Sequence, residues 1–175
     1  MRRFPSSLAL LTLLSACATV PRGAPSAPAT THEVQILGLN DFHGNLEPPK
    51  LAIDAVAADG SAVKVPAGGV AYLASAARAL RQGQRFTVTV SAGDMIGAAP
   101  LTSALFLDEP TIEAMEEVGV DYNAVGNHEF DKGAAELLRM QNGGCERHAA
   151  RTPCAVEPFD GADFKFLAAN VVTQS

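Results

Sequence analysis

The chain has 175 residues, of which 47% are hydrophobic and 18% are charged, so its composition is that of a globular protein and not of a disordered one. This length allows one domain of ordinary size with a buried core. The formal net charge of −6 provides no basic surface for a nucleic-acid polymer. It does not exclude a phosphate substrate, because bound divalent cations reverse the local charge.

The first residues have the organisation of a secretory signal peptide, predicted over residues 1–16. Arg2 and Arg3 precede a short apolar run, and small residues follow it. The sequence Leu-Ser-Ala-Cys that ends at Cys17 is typical of a bacterial lipobox, in which the cysteine is lipidated and becomes the mature N-terminus. The alternative is ordinary cleavage after Ala18. Both alternatives place the protein in the periplasm or cell envelope, and lipidation would anchor it to a membrane.

A tether and a folded part are predicted after the leader. Residues 17–31 are rich in proline and alanine, a composition that cannot bury a core and that is typical of an extended linker. The folded part is predicted over residues 32–175. Of the three cysteines, lipidation of Cys17 would leave Cys145 and Cys154 to form a disulfide in an oxidising compartment. A metal site that used these two thiols and His148 would be one ligand short.

The folded part alternates between strand and helix patterns. Apolar or β-branched runs predict strands at 34–40, 86–91, 122–125 and 164–170. Helical spacing and turn residues predict helices at 69–81, at 101–107, from a start near Asp108 or Glu109, and at 132–140. Residues 45–66 contain turn formers with weak periodicity and are predicted to be irregular. The alternation indicates an α/β protein with a layered sheet.

Polar side chains follow three of the predicted strands at the point where each strand ends. They are, in chain order, Asp41 and His43, then Asp94, then Asn127, His128, Glu129 and Asp131. In α/β proteins, ligands bind at the carboxyl ends of the strands, so these groups should lie at one edge of the sheet. Carboxylate, imidazole and amide donors together suit Zn, Mn, Co or Mg. A carboxylate between two cations about 3.5–4 Å apart can bridge them, which permits two-metal phosphoryl chemistry.

Each of these residues also has a plainer interpretation. Asp41 could form an Asx turn after its strand, and Asp131 could be the N-cap of the helix that follows it. His43 could be an ordinary polar residue, and Glu129 a solvated or hydrogen-bonded loop carboxylate. Because three such clusters occur at strand ends in one small domain, a shared functional site is favoured over a separate structural role for each residue.

The motifs Asp41-x-His43, Gly93-Asp94 and Gly126-Asn-His-Glu129 together resemble those of the calcineurin-like metallophosphoesterase superfamily. The longer strings LNDFHG at 39–44 and GNHEFD at 126–131 are similar to the bacterial 5′-nucleotidase family, which includes UDP-sugar hydrolases. The strings SALF at 103–106 and DEPTI at 108–112 are similar to the same family. The resemblance covers about residues 33–172.

This resemblance implies a four-layer αββα domain, here incomplete at its C-terminus, with two divalent metal ions. By motif match, Asp41 and His43 would bind one metal, Asp94 would bridge both, and Asn127 would bind the second. His128 would stabilise the transition state or assist the leaving oxygen, and Asp131 would orient it. The implied reaction is hydrolysis of nucleoside 5′-phosphates, and of UDP-sugars in some members, by in-line attack of a metal-bound hydroxide.

The chain departs from the family pattern in its histidines. The family supplies further ligands from a later Gly-His-x-His segment and binds the nucleoside with a C-terminal domain, whereas His32 and His148 do not lie in that pattern. The sequence therefore looks like the N-terminal part of a longer enzyme, and alone it is expected to be nearly inactive. The alternatives are a 2′,3′-cyclic nucleotide phosphodiesterase and an inactive lipoprotein that serves as a binding module.

Overall fold

The computed structural model describes residues 31–172. Its strands are β1 (Gln35–Leu39), β2 (Ala52–Val56), β3 (Ala62–Pro66), β4 (Thr87–Ser91), β5 (Tyr122–Ala124) and β6 (Lys165–Leu167). Its helices are α1 (Val70–Arg81), α2 (Leu101–Ala104), α3 (Glu109–Val118) and α4 (Ala134–Asn142), with a short 3₁₀ turn at His128–Phe130. The predicted signal peptide, the predicted lipidation site Cys17 and nearly all of the predicted linker lie outside the described residues.

Four of the strands form one parallel sheet in the order β1-β4-β5-β6. The pairs β1–β4, β4–β5 and β5–β6 are all parallel. Parallel neighbours require crossover connections, and α1 lies between β1 and β4 while α2 and α3 lie between β4 and β5. The predicted α/β class is confirmed. Because the strands are parallel, their carboxyl ends meet at one edge.

The core lies between one face of this sheet and the helices. Its fully buried apolar side chains are Met95, Ile112, Met115, Val118 and Met140. Leu37 and Leu39 of β1 pack against this cluster, and α1 packs against α3. The inner face predicted for α3, with Ile112, Met115 and Val118, is therefore the face that the helix buries.

The opposite face of the sheet is apolar and largely open. Side chains alternate between the two faces of a strand, so the registers Ile36↔Val88 and Val90↔Tyr122 place these four residues on one face. Ile36 is 69% exposed and Tyr122 is 44% exposed. A four-layer domain buries such a face against a second sheet. The described residues thus form the four-stranded sheet with helices on one of its faces, and a separate two-stranded sheet.

The prediction that residues 45–66 are irregular is wrong. Strands β2 and β3 form an antiparallel hairpin within this range. Asp59 and Gly60 lie in its turn, and Asp-Gly between alternating apolar residues is a hairpin signal. The apolar alternation around this turn is weak, and its apolar residues, such as Ile53 at 58% exposure, are not buried.

Two element boundaries also differ from the predictions. Helix α4 begins at Ala134 and has Gly133 at its N-cap, so Asp131 is not the cap of this helix. Gly133 adopts a φ of 87°, which glycine accepts without strain and which breaks the helical path there. Strand β6 ends at Leu167, three residues before the predicted end at Asn170. Its pairing with β5 also ends there, because β5 is only three residues long.

Cys145 and Cys154 form a disulfide in the loop that follows α4, as predicted. The loop is fixed from inside by a buried ion network: Arg139 donates to Glu109 at 2.6 Å and to Glu136 at 2.7 Å. The backbone N–H of Cys154 donates to the same Glu109 carboxylate at 3.0 Å. Within residues 31–172, none of the helices has the length and apolar character needed to span a bilayer.

Candidate metal and phosphoryl-transfer site

The loop after β1 and the loop after β4 run side by side beyond the end of the sheet. The Asp41 N–H donates to the Gly93 carbonyl at 3.1 Å, and the His43 N–H donates to the Asp94 carbonyl at 3.0 Å. These bonds continue the β1–β4 pairing past Leu39. They bring the predicted residues of the first two clusters next to one another.

Three of the predicted metal ligands have a left-handed backbone. The φ angles are 50° at Asp41, 47° at His43 and 51° at Asp94. Non-glycine residues in this region cost of the order of 1–3 kcal/mol each, and they collect where function requires a particular side-chain direction. These are three of the eight non-glycine residues with a positive φ in the described part of the chain, and the left-handed backbone sets the direction of each of the three side chains.

The third loop completes a compact donor group. His43, Asp94 and His128 each offer one ligand atom, and these atoms all lie within 4.8 Å of one another. The two imidazole rings meet edge to face, with 4.9 Å between centroids. Asp41 Oδ1 lies 3.9 Å from His43 Nε2, so this carboxylate adjoins the group. The three clusters predicted to converge do so.

The donor chemistry and the orientation of His43 fit a divalent cation. Nδ1 of His43 lies 2.9 Å from the carbonyl oxygen of Gly97. A carbonyl oxygen only accepts, so Nδ1 carries a proton, and in the neutral ring Nε2 keeps its lone pair. Metal-ligating histidines are commonly fixed in this way, with the second ring nitrogen donating to a backbone carbonyl. His43 is thus prepared to bind a metal through Nε2.

His128 is paired with Asp131, as predicted. Nδ1 of His128 lies 2.8 Å from Oδ2 of Asp131. This hydrogen bond, supported by the charges of Asp131 and Asp94, raises the pKa of His128 above its ordinary value. The ring is partly exposed, and its Nε2 is not engaged by Asp131. A histidine in this state can hold a proton near neutral pH and donate it to a neighbouring group.

Glu129 has a role that its sequence context does not reveal. It is 2% exposed, and it accepts hydrogen bonds from the backbone N–H groups of Asp94, Met95 and Gly126 at 2.8–2.9 Å. It also accepts one from the side chain of Asn123 at 3.2 Å. This single carboxylate joins the loop after β4 to the loop after β5. The interpretation of Glu129 as a solvated loop carboxylate is therefore wrong, whereas the hydrogen-bonded alternative is right.

Gly126 allows the third loop to approach the second. A Cβ at this position would overlap the side chain of Asp94 and would lie 2.7 Å from its backbone nitrogen. On the other side, Oδ1 of Asp94 accepts from the His128 N–H at 2.9 Å. Glycine is required at position 126 because of this close contact and not because of its backbone angle, since its φ is not left-handed. Asn127, the remaining predicted ligand, is exposed and occupies the N-cap of the 3₁₀ turn that begins at His128.

A cavity of about 460 Å³ adjoins the group on the side of β1. It lies between the loop after β1 and helix α1, and Asp41, Phe42 and Tyr72 are among its lining residues. Small-molecule sites have volumes of about 300–1,000 Å³. The cavity offers room for an organic group beside the candidate ligand Asp41.

Comparison with known proteins gives several relatives. The chain is 50% identical over 155 residues to an uncharacterized protein in the pqq-V 5′ region of Acinetobacter calcoaceticus, covering 87% of this chain and 76% of that protein. It is 36% identical over 151 residues to the endonuclease YhcR of Bacillus subtilis, covering 86% of this chain and 12% of the relative. No family model matches the chain.

The NAD 5′-nucleotidase of Haemophilus influenzae is 30% identical over 134 residues, which are 77% of this chain and 21% of that enzyme. The solved structure of an NAD nucleotidase from the same organism aligns with 59% of this chain and 18% of its own, with 30% identity and a TM-score of 0.47. The chain thus spans about three quarters of the Acinetobacter relative but no more than about a fifth of the other two.

The parallel sheet gathers imidazole and carboxylate donors from three successive loops at its carboxyl edge, which is the arrangement that the resemblance to metallophosphoesterases predicts. Relatives named 5′-nucleotidase occur in Treponema, Haemophilus and Vibrio, at 30–35% identity over 102–135 residues. Over the matched residues the chain is similar to members of the 5′-nucleotidase family, and it corresponds to part of these longer proteins.

Proposed function

We propose that this chain forms part of a metal-dependent hydrolase of nucleoside 5′-phosphates. The observation that carries the proposal is the juxtaposition of the His43–Asp94–His128 donor group with the His128–Asp131 pair at one sheet edge. A cation site alone would also suit a binding protein. A second histidine that holds a proton beside that site suits a reaction in which a leaving oxygen must be protonated.

His43 and Asp94 would hold a divalent metal, with Asp41 and Asn127 as further ligands and Asp94 shared between two cations. The fit rests on the donor set and on the fixed Nε2 lone pair of His43. When bound, such a metal supplies positive charge that polarises a phosphoryl oxygen and lowers the pKa of water. Zn, Mn, Co and Mg all suit mixed oxygen and nitrogen donors.

The residues of the chain itself would orient the substrate and move a proton. Asp131 keeps Nδ1 of His128 protonated and so leaves Nε2 as the atom that faces the reacting group. The raised pKa of His128 favours the doubly protonated ring, which can give its Nε2 proton to the leaving oxygen. Glu129 holds the loops that carry Asp94 and His128 in register, so that the metal ligand and the acid act on the same phosphoryl group.

The experiment is phosphate release from AMP by the purified chain at high protein concentration with Mn²⁺. We expect slow, metal-dependent release, because much of each longer relative lies outside the matched region. His128→Ala should lower the rate by about 10²–10⁴-fold, the usual contribution of a general acid, while the protein still binds Mn²⁺. Release that is equal with and without the metal would contradict the proposal.

A second candidate is a phosphodiesterase, favoured by the relative named endonuclease YhcR at 36% identity. UDP-sugars, 2′,3′-cyclic AMP and single-stranded DNA therefore belong in the same assay as AMP. The net charge of −6 disfavours the polymer. Faster cleavage of the cyclic nucleotide or of DNA than of AMP would make the diesterase the function of the chain.

The same proposal places the protein in the periplasm or cell envelope, anchored through a lipid on Cys17. The lipobox-like sequence that ends at this residue supports it. Mass spectrometry of the mature N-terminus is the test: a diacylglyceryl-modified Cys17 is expected, whereas an unmodified N-terminus beyond Cys17 would contradict the anchor.

A further inference from the structure

The carboxylate of Asp108 is buried. It lies between Gly97, which contacts the candidate ligand His43, and Lys132, which follows Asp131. Its Oδ1 accepts from the Ser103 hydroxyl at 2.7 Å. Its Oδ2 accepts from Lys132 Nζ at 2.7 Å and from the Gly97 N–H at 3.3 Å. The side chain of Asp108 is 1% exposed and that of Lys132 is 26% exposed. The carboxylate is therefore paired and fully hydrogen-bonded, as a buried charge must be.

Helix capping does not explain this carboxylate. Asp108 occupies the N-cap position of α3, yet its side chain makes no capping hydrogen bond. Its backbone is left-handed, with a φ of 69°, which an aspartate adopts at some cost. Its carboxylate instead accepts from Gly97, from Lys132 and from Ser103, whose hydroxyl also contacts Thr111 in the first turn of α3. Asp108 therefore has a strained backbone and does not cap the helix, which indicates that its carboxylate has a different role.

Gly97 connects Asp108 to the candidate ligand His43 and lies against the His128–Asp131 pair. Its N–H donates to Asp108, and its carbonyl accepts from Nδ1 of the candidate ligand His43 at 2.9 Å. A Cβ on Gly97 would lie 2.9 Å from Oδ2 of Asp131 and 2.6 Å from the His128 carbonyl. The same residue is thus packed against the His128–Asp131 pair. The other partner of Asp108, Lys132, directly follows Asp131 in the chain.

We infer that Asp108 is a positioning residue for His43. Its carboxylate, balanced by Lys132, holds the backbone N–H of Gly97, and the carbonyl of the same residue then holds His43 in the tautomer that presents Nε2 to the metal. The Asp108–Lys132 ion pair also ties the segment that carries Asp131 to Gly97. One buried pair therefore sets the relative placement of the metal ligand and of the proton donor.

The test uses the tautomer of His43, which is read in the metal-free chain and so does not depend on the proposed hydrolysis. Long-range ¹H–¹⁵N correlation at pH 8.5, above the ordinary imidazole pKa of about 6.5, should show His43 protonated at Nδ1 alone. In Asp108→Ala both tautomers should be populated. The affinity for Mn²⁺, which does rest on the proposed metal centre, should fall about tenfold, at the lower end of outer-shell effects.

Glu109→Ala is the matched control, because it removes a buried carboxylate one residue further on that pairs with Arg139 and does not contact Gly97. It should leave the tautomer and the Mn²⁺ affinity unchanged while it lowers stability. Asp108→Asn, which keeps one acceptor oxygen, should restore most of the single tautomer. If Asp108→Ala does not fold, Lys132→Met should produce a smaller shift of the same kind. An unchanged tautomer in Asp108→Ala or in that replacement, or an equal shift in Glu109→Ala, would overturn the assignment.

Discussion

The loops at the carboxyl edge of the parallel sheet and the β2–β3 hairpin both connect strands, but the edge buries the carboxylate that joins its loops whereas the hairpin leaves its charged side chains exposed. At the edge, Glu129 is buried and is shared by four donors from three segments of the chain. In the hairpin, Asp54 and Lys64 pair across the strands at 2.5 Å with side chains that are 81% and 67% exposed. The edge depends on contacts that are distant in sequence, whereas the hairpin depends on its own two strands.

The edge, unlike the hairpin, contains features that lower the free energy of unfolding. Three predicted ligands at the edge have a left-handed backbone, and Asn123 beneath them keeps a buried Oδ1 without a partner in the described part of the chain. Such features lower stability and persist only where the surrounding structure enforces them. The hairpin holds its exposed pair without comparable burial. Changes at the edge should therefore cost far more than changes in the hairpin.

The largest expected effect is that of Glu129→Ala. The substitution leaves three backbone N–H groups and the Asn123 amide without their acceptor, and losing one member of such a buried polar network typically costs about 3–5 kcal/mol. Urea denaturation should show this loss in the free energy of unfolding. Glu129→Gln, which keeps the shape and part of the accepting capacity, should lose less. A loss below about 1 kcal/mol for the alanine variant would show that the hydrogen bonds of Glu129 do not stabilise the edge more than an exposed pair stabilises the hairpin.

The disulfide is a reference outside both regions. Replacing Cys145 and Cys154 by serine opens a loop closed over a sequence separation of nine residues. The chain-entropy model assigns such closure about 2–3 kcal/mol. Urea denaturation of oxidised protein and of the double variant should differ by this amount. Equal stability would show that the loop is held instead by the contact between the Cys154 N–H and Glu109.

The hairpin pair should contribute little. A double-mutant cycle with Asp54→Ala and Lys64→Ala should give a coupling energy of about 0.2–1 kcal/mol, as for other solvent-screened pairs. Raising the salt concentration should reduce it further. A coupling comparable with the loss at Glu129 would erase the contrast between the two regions.

The smallest effect concerns pH and the hairpin turn. The hydrogen bonds that Ser61 donates to Asp59 lower the pKa of this aspartate below the usual 3.8. A lowered pKa stabilises the folded turn above pH 3.8, and this contribution is lost as the pH falls through the folded value. NMR titration should find the low pKa, and Ser61→Ala should move it back toward 3.8. A normal pKa in the unsubstituted chain would contradict the turn geometry.

The sequence predicted the parts of the molecule whose signals are local. The apolar run of β1, the β-branched run of β4 and the inner face of α3 all carry their periodicity in a few consecutive residues. The polar residues after each strand could be assigned to one edge because parallel strands share it. The hairpin was missed because its alternation is weak and its apolar residues are exposed.

The rest depends on contacts that no local pattern encodes. The donors to Glu129 come from residues 94 and 95 as well as from its own loop, so its role emerges only when two loops meet. Asp108 has the position and the residue type of a helix cap, and only the structure shows its carboxylate directed to Gly97 and Lys132.

The central claim is that Asp94 holds metal while His128 acts on the substrate, although both belong to one compact donor group. Calorimetric titration of Mn²⁺ into the unsubstituted chain, Asp94→Ala and His128→Ala tests it directly. We expect weak but measurable binding to the unsubstituted chain and no binding to Asp94→Ala. Binding to His128→Ala should lie within about threefold of the unsubstituted chain, which is less than about 0.7 kcal/mol. Equal loss of binding in the two variants would show that His128 is itself a ligand and would contradict the division of roles.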